Sequence, residues 1–264
     1  MNFAIHQASR TGGRKYNQDR VAYAYTNESL LLVLADGMGG HLHGEIAAQT
    51  AIHVYMQAFA RVAHPRVPNQ TEFLQDVMQF AHETILQYAE DHHLPGNPGT
   101  TCVAALIQDG QIWWAHAGDS RLYLLRNRKM LPLTHDHSLV QQWADWGIIS
   151  QEEIRIHPDR NKITNCLGGV ASLFSSEAPP PLPLQQDDVL LLCSDGLWGP
   201  LEDAEMASVL SASPLPTAIE KLMDEALRRE GAAADNTTAV VARIGDNEEA
   251  HTSDEAVCIV LDYR

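Results

Sequence analysis

The chain has 264 residues, 45% of them hydrophobic, enough for one large domain or two small ones around a sizeable core. Its 18 Lys and Arg face 34 Asp and Glu, a formal net charge of -16, which makes it a poor candidate for general nucleic-acid binding. The four cysteines are scattered without a C-x-x-C, the N-terminus MNFAIHQASRTGG lacks a secretory pattern, and no run is long enough to cross a membrane. A reduced, soluble, cytoplasmic protein is expected.

In chain order, residues 3–9 and 20–25 read as a strand pair around the loop 10–19, followed by a buried strand at 30–36. Residues 44–62 are Ala-rich with helical periodicity, and 71–92 read as a second helix with Thr71 as its N-cap. Three strands follow as an antiparallel meander, 101–108, 111–116 and 121–126, the first two joined by the Asp109-Gly110 turn. Residues 137–146 read as helix. The polar stretch 147–165, with a short helical patch at 151–155, reads as a mobile flap. The proline run 179–183 is a stiff connector, 189–194 a strand, 217–229 a helix and 237–244 a strand. An acidic loop at 246–254 and an edge strand at 256–262 end the chain. Antiparallel strands with helices outside them predict a layered α/β (α+β) sandwich: two central antiparallel sheets flanked by helices, a single domain over 1–264. Trp113, Trp114, Trp143 and Trp146 are assigned to packing, and Phe59, Leu74, Phe80 and Leu86 to helix core.

Three of the apolar runs end on an aspartate beside a small residue: 30–36 before Gly37, 112–119 before Ser120, and 189–195 before Gly196. A carboxylate at a buried strand tip loses its hydration, so several at one sheet edge suggest an oxygen-rich pocket for hard divalent cations. The chemistry concentrates in four segments: Gly13-Arg14-Lys15-Tyr16-Asn17-Gln18-Asp19; Ala35-Asp36-Gly37-Met38-Gly39-Gly40-His41 with Gly44-Glu45; Gly118-Asp119-Ser120-Arg121; and Ser194-Asp195-Gly196 with Ala234-Asp235-Asn236-Thr237-Thr238. Each Asp-Gly alone is ordinary turn chemistry. GMGGHLHG lacks the Lys-Ser/Thr of a nucleotide-binding loop, and its glycines suit a tight strand-to-helix turn.

With Gly99-Thr100-Thr101, the run Leu133 to Val140 (LTHDHSLV), and Asn161-Lys162-Ile163-Thr164 before Leu167-Gly168, the chain resembles the bacterial metal-dependent serine/threonine phosphatases of the phosphatase 2C family, from about Ser9 to Ile244. The resemblance implies a two-ion centre of Mg²⁺ or Mn²⁺ at one end of the sandwich, with a third, weaker ion. Asp36 would bridge two ions, and the Gly37 carbonyl would bind one. Asp19, Asp195 and Asp235 would hold the second, and Asp119 would support the third. Arg14 would grip the substrate phosphate, Asn236 would stabilise the loop around Asp235, and 147–165 matches the flap. Oxygen donors suit these ions better than zinc, and two ions acidify a shared water that attacks phosphorus in line. Arg14 offers a planar fork to phosphate oxygens. Met38 stands where animal members carry a histidine, which leaves His41, His135, His137, His157 or a metal-bound water as the proton donor. Gln18 replaces the acid often found beside the first aspartate.

The resemblance implies hydrolysis of phosphoserine and phosphothreonine in proteins, opposite a Ser/Thr kinase of the eukaryotic-like type. A monomer is expected because no apolar interface stripe is evident, and no membrane segment is expected because no apolar run is long enough. A phosphatase of small phosphoesters and a metal-free pseudophosphatase that binds phosphoproteins are the alternatives.

Overall fold

A computed structural model describes residues 2–38, 43–94, 96–169, 179–245 and 255–261. Its strands are β1 (Phe3–Arg10), β2 (Arg20–Tyr25), β3 (Ser29–Ala35), β4 (Gly37–Met38), β5 (Gly99–Thr100), β6 (Cys102–Gln108), β7 (Gln111–Ala117), β8 (Arg121–Arg126), β9 (Lys129–Pro132), β10 (Leu182–Pro183), β11 (Val189–Cys193), β12 (Thr237–Ile244) and β13 (Val257–Val260). The helices are α1 (Gly44–Val62), α2 (Gln70–Asp91), α3 (Leu139–Asp145), α4 (Gln151–Ile154), α5 (Asp195–Trp198), α6 (Asp203–Ala212) and α7 (Leu215–Glu230).

Two antiparallel sheets stack at the centre. One runs β1-β12-β11-β8-β9, the other β10-β7-β6-β3-β2-β13, and β4 pairs separately with β5. The alternation of side chains along a strand explains the layers. Leu30, Leu32 and Leu34 of β3 point into the space between the sheets, where they meet Leu190 and Leu192 of β11 and Val240 of β12. Their neighbours Leu31, Val33 and Ala35 pack outward on α1 and α2. Leu191 and Cys193 likewise face α6 and α7 on the other side. A strand covered on both faces reads as a continuous apolar run, as β3 does. The helices present matching stripes. On α7 the buried Ala218, Ile219, Leu222, Met223 and Ala226 recur at helical spacing. The Tyr55 hydroxyl donates to the Leu74 carbonyl at 2.9 Å and ties α1 to α2.

The sandwich and most elements stand as expected, including the edge strand β13 on β2. Several local expectations do not hold. β1 and β2 are not partners: β1 pairs with β12, and β2 with β3 and β13. The meander stops after β7, because β8 joins β11 in the opposite sheet. Asn69, not Thr71, precedes the first turn of α2, and its side chain makes no cap hydrogen bond. Trp146 and Phe80 are exposed, at 70% and 57%. Helix α6 was not foreseen; its register is too weakly amphipathic to read. The acidic loop at 246–254 lies outside the described residues.

Leu32 is fully buried between the sheets. Leu32→Ala is expected to cost about 2–5 kcal/mol in a denaturant titration, because the two sheets cannot collapse onto the void.

Candidate metal centre

The five predicted aspartates meet at one end of the sandwich. Asp19 precedes β2, and Asp36 follows β3; the register Arg20↔Ala35 puts them side by side. Asp195 follows β11, and Asp235 comes two residues before β12, at the end fixed by Cys193↔Ala239 and Cys193↔Arg121. Asp119 lies between β7 of one sheet and β8 of the other. Residues 11–19 and 118–120 are two of the connections that cross between the sheets, and each delivers one carboxylate to the seam.

Each acid is held by its backbone and by small polar neighbours. The Asp36 N–H donates to Thr101 Oγ1 at 3.0 Å, while its carbonyl accepts from the Thr101 N–H and the Thr100 hydroxyl at 2.8 and 2.9 Å. The threonines of Gly99-Thr100-Thr101 therefore clamp the strand tip. Thr101 Oγ1 also lies 2.7 Å from Ser120 Oγ, beside Asp119. Gly37 permits a close crossing: a Cβ there would sit 2.4 Å from the Gly44 carbonyl oxygen and 2.7 Å from that of Gln18. Asp19 is wholly buried; its Oδ2 accepts from Ser194 Oγ at 2.8 Å. Asn236 is the staple of the first connection. Its amide donates to the carbonyls of Thr11 and Tyr16 at 2.8 and 3.0 Å, and its Oδ1 accepts from the Gln18 N–H at 2.8 Å. It binds the Arg14 loop to the Asp235 loop, more than the local support expected of it. Gln18 Nε2 turns to Glu45 at 3.1 Å.

The electrostatics are those of a site built for cations. Burial pushes the Asp19 carboxyl up to about 6, aided by the charge of Asp235. Burial and then Asp235 and Asp19 raise Asp195 to about 7. Asp36 lies well above the ordinary range, first from burial and then from Asp19, Asp195, Asp119 and Asp235. Burial, then Asp195 and Asp136, do the same to Asp119. Asp19 Oδ1 is buried with no hydrogen-bond partner among the described residues, an acceptor open to a donor or an ion. Among the described residues no three His, Cys, Asp or Glu side chains converge closely enough to hold an ion by themselves. Carboxylates spread around an opening suit Mg²⁺ or Mn²⁺, which take carboxylate, carbonyl and water oxygens and need no all-protein shell.

Two cations stand at the opening. Arg14 donates to Asp235 Oδ2 at 2.7 Å while its side chain stays 56% exposed. Arg160, from the 147–165 segment, lowers the proton affinity of Asp195 and lines the same cleft as Arg14, Asp119, Asn161 and Trp198. Sequence reasoning missed Arg160 and Trp198, although both adjoin segments already singled out. None of the described histidines lines this cleft. His135 is paired with Asp145 at 2.8 Å, and the His157 Nδ1 accepts from the Asp159 N–H at 3.1 Å. His41 lies outside the described residues.

The family model for protein phosphatase 2C matches residues 7–234. The chain belongs to the protein phosphatase 2C family. It is 35% identical over 201 residues to the serine/threonine phosphatase stp of Listeria innocua, covering 75% of this chain and 79% of that protein. The structure of the S. agalactiae serine/threonine phosphatase superposes with a TM-score of 0.83 at 29% identity, covering 92% of this chain and 100% of that one. The catalytic domain of the serine/threonine protein phosphatase PstP, in complex with two manganese ions, superposes with a TM-score of 0.76 at 31% identity, covering 92% of this chain and 99% of that one.

For this phosphatase 2C domain the raised carboxyls carry a sign for stability. Folded carboxyls held up to about 6 and 7 keep protons that the unfolded chain has lost from about pH 4. Their contribution to the stability of the metal-free protein is therefore full below about pH 4 and lost as pH rises through 6 and 7. Asp195→Asn is expected to raise the Tm of the metal-free protein near pH 7.5 by several degrees and to flatten its fall with pH, read by differential scanning calorimetry.

Proposed function

We propose that this chain hydrolyses phosphoserine and phosphothreonine in proteins, as one catalytic domain over 1–264 with 147–165 as its flap. The observation that carries the reading is the set of mutually repelling aspartates at the seam, four of them holding raised pKa values, in a chain whose relatives bear phosphatase names. Asp19, Asp36, Asp195 and Asp235, with the Gly37 carbonyl, would hold two Mg²⁺ or Mn²⁺ ions, and Asp119 a third. Bound there, the ions supply an acidified water and offset the charge of the phosphoryl oxygens.

The chain's own residues do the rest. The buried carboxyls of Asp19 and Asp195 hold their protons unusually well, and ion binding would displace them. Arg14 is half exposed and bound to Asp235 by an ion pair of the weakly stabilising surface kind. It can exchange that carboxylate for two phosphate oxygens at little cost, which fits a substrate clamp. Asn236 keeps the clamp loop in register with the ligand loop. None of the described histidines lines the cleft, so none of them is placed to protonate the leaving alkoxide.

The four cysteines form no disulfide among the described residues and three of them are buried, which supports a reducing compartment. No helix among the described residues is long and apolar enough to cross a membrane. The reading includes a cytoplasmic monomer, and the relatives' names as serine/threonine and protein phosphatases support targets of a eukaryotic-like Ser/Thr kinase. A metabolite phosphatase with the same centre would work without a protein substrate, and the relatives' names weigh against it.

Phosphate release from a phosphothreonine peptide is expected to require Mn²⁺ or Mg²⁺, to stop with chelator and to fall by orders of magnitude in Asp195→Ala. Metal-independent release, or full turnover of Asp195→Ala, would contradict the reading. Arg14→Ala is expected to lower kcat/KM by roughly ten-fold or more while leaving Mn²⁺ affinity intact, because it removes a charge-assisted phosphate contact worth about 1.5–3 kcal/mol.

A further inference from the structure

We propose that His137 is a positioning residue for Asp119, acting as a neutral hydrogen-bond acceptor and not as a proton donor. The inference rests on the reading of Asp119 as a metal ligand. Asp119 is delivered by Gly118, which adopts a φ of +103° and whose absent Cβ would sit 2.6 Å from Thr101 Cγ2. The direction in which the chain enters Asp119 is set by that glycine.

His137 grips Gly118 at both polar groups of its backbone. The His137 N–H donates to the Gly118 carbonyl at 2.9 Å, and the Gly118 N–H donates to His137 Nδ1 at 3.3 Å. The same Nδ1 lies 3.3 Å from the Asn165 side-chain nitrogen, and the Thr164 N–H donates to the His137 carbonyl at 2.8 Å. One residue therefore joins the turn before Asp119 to the end of the 147–165 segment.

The protonation state follows from the partners. A backbone N–H can only donate, so Nδ1 carries no proton and a neutral ring keeps its proton on Nε2. The His137 ring stacks on His116 with centroids 4.4 Å apart at 16°. His116 Nε2 lies 2.8 Å from the His135 carbonyl, which can only accept. Two imidazoles stacked this closely favour neutrality in both. Burial and then His116 and His135 push the His137 pKa down to about 4, in agreement with the geometry. A residue that orients a ligand in this way commonly matters about 10–100-fold for metal affinity or activity.

The test combines a spectrum of the intact protein with three variants. Long-range ¹H–¹⁵N spectra of the wild type at neutral pH are expected to show a bare Nδ1 and a protonated Nε2 at His137. In calorimetric Mn²⁺ titrations, Asp119→Ala and His137→Gln are each expected to weaken the weakest-bound ion about ten-fold or more. His137→Asn presents an acceptor near the place of Nδ1 and is expected to stay close to wild type. A protonated Nδ1 overturns the proposal whether or not the variants fold. So does a wild-type-like His137→Gln beside a weakened Asp119→Ala, or an equal loss in His137→Asn and His137→Gln. Unchanged binding by Asp119→Ala would overturn the ligand role of Asp119 itself, and the proposal with it.

Discussion

A carboxylate taken out of water must find a cation, a set of donors or a proton. This fold gathers five of them where its two sheets meet, and gives the most buried, Asp19, a hydroxyl on one oxygen and, among the described residues, no hydrogen-bond partner on the other. The rest of the molecule follows from that concentration of charge. Two of the connections between the sheets lie at this end, and each carries an aspartate. The apolar layers behind are continuous enough to hold the strand tips in register against the mutual repulsion of their acids.

Rigidity is distributed unevenly around the centre. Thr100 and Thr101 fix the backbone of Asp36, Asn236 fixes two loops at once, and the Trp198 indole N–H donates to the Asp119 carbonyl at 2.9 Å. These partners are neutral, so they orient the acids without spending their charge. The cations stand outside this shell. Arg14 is half exposed, and Arg160 belongs to a segment anchored through Arg155, whose guanidinium donates to the carbonyls of Trp198 and Leu201 and to Asp203. A precise inner ring with movable charges at its rim suits a reaction in which metal is held and phosphate comes and goes.

The sandwich was legible because its strands are covered on both faces or alternate cleanly, and because Asp-Gly turns mark their ends. The site was legible because the acids sit at strand tips, a position with little structural use. Strand partners were less legible: nothing in residues 3–25 says that the loop between β1 and β2 changes sheets instead of closing a hairpin. Side-chain environment was also hidden. Phe80 and Trp146 look like core residues by type, yet fall on open faces. Arg160 stayed invisible because its role depends on where a long polar segment folds back. His137 looked like any histidine until its ring nitrogen met the Gly118 N–H.

The central claim is that protons occupy this carboxylate cluster when metal does not. Mn²⁺ titration calorimetry near pH 6, in buffers of different ionisation enthalpy, counts the protons released per ion bound. With Asp19 held at about 6 and Asp195 at about 7, binding should release protons near pH 6 and fewer near pH 8. Binding with no proton release at either pH, or no Mn²⁺ binding at all, would contradict it.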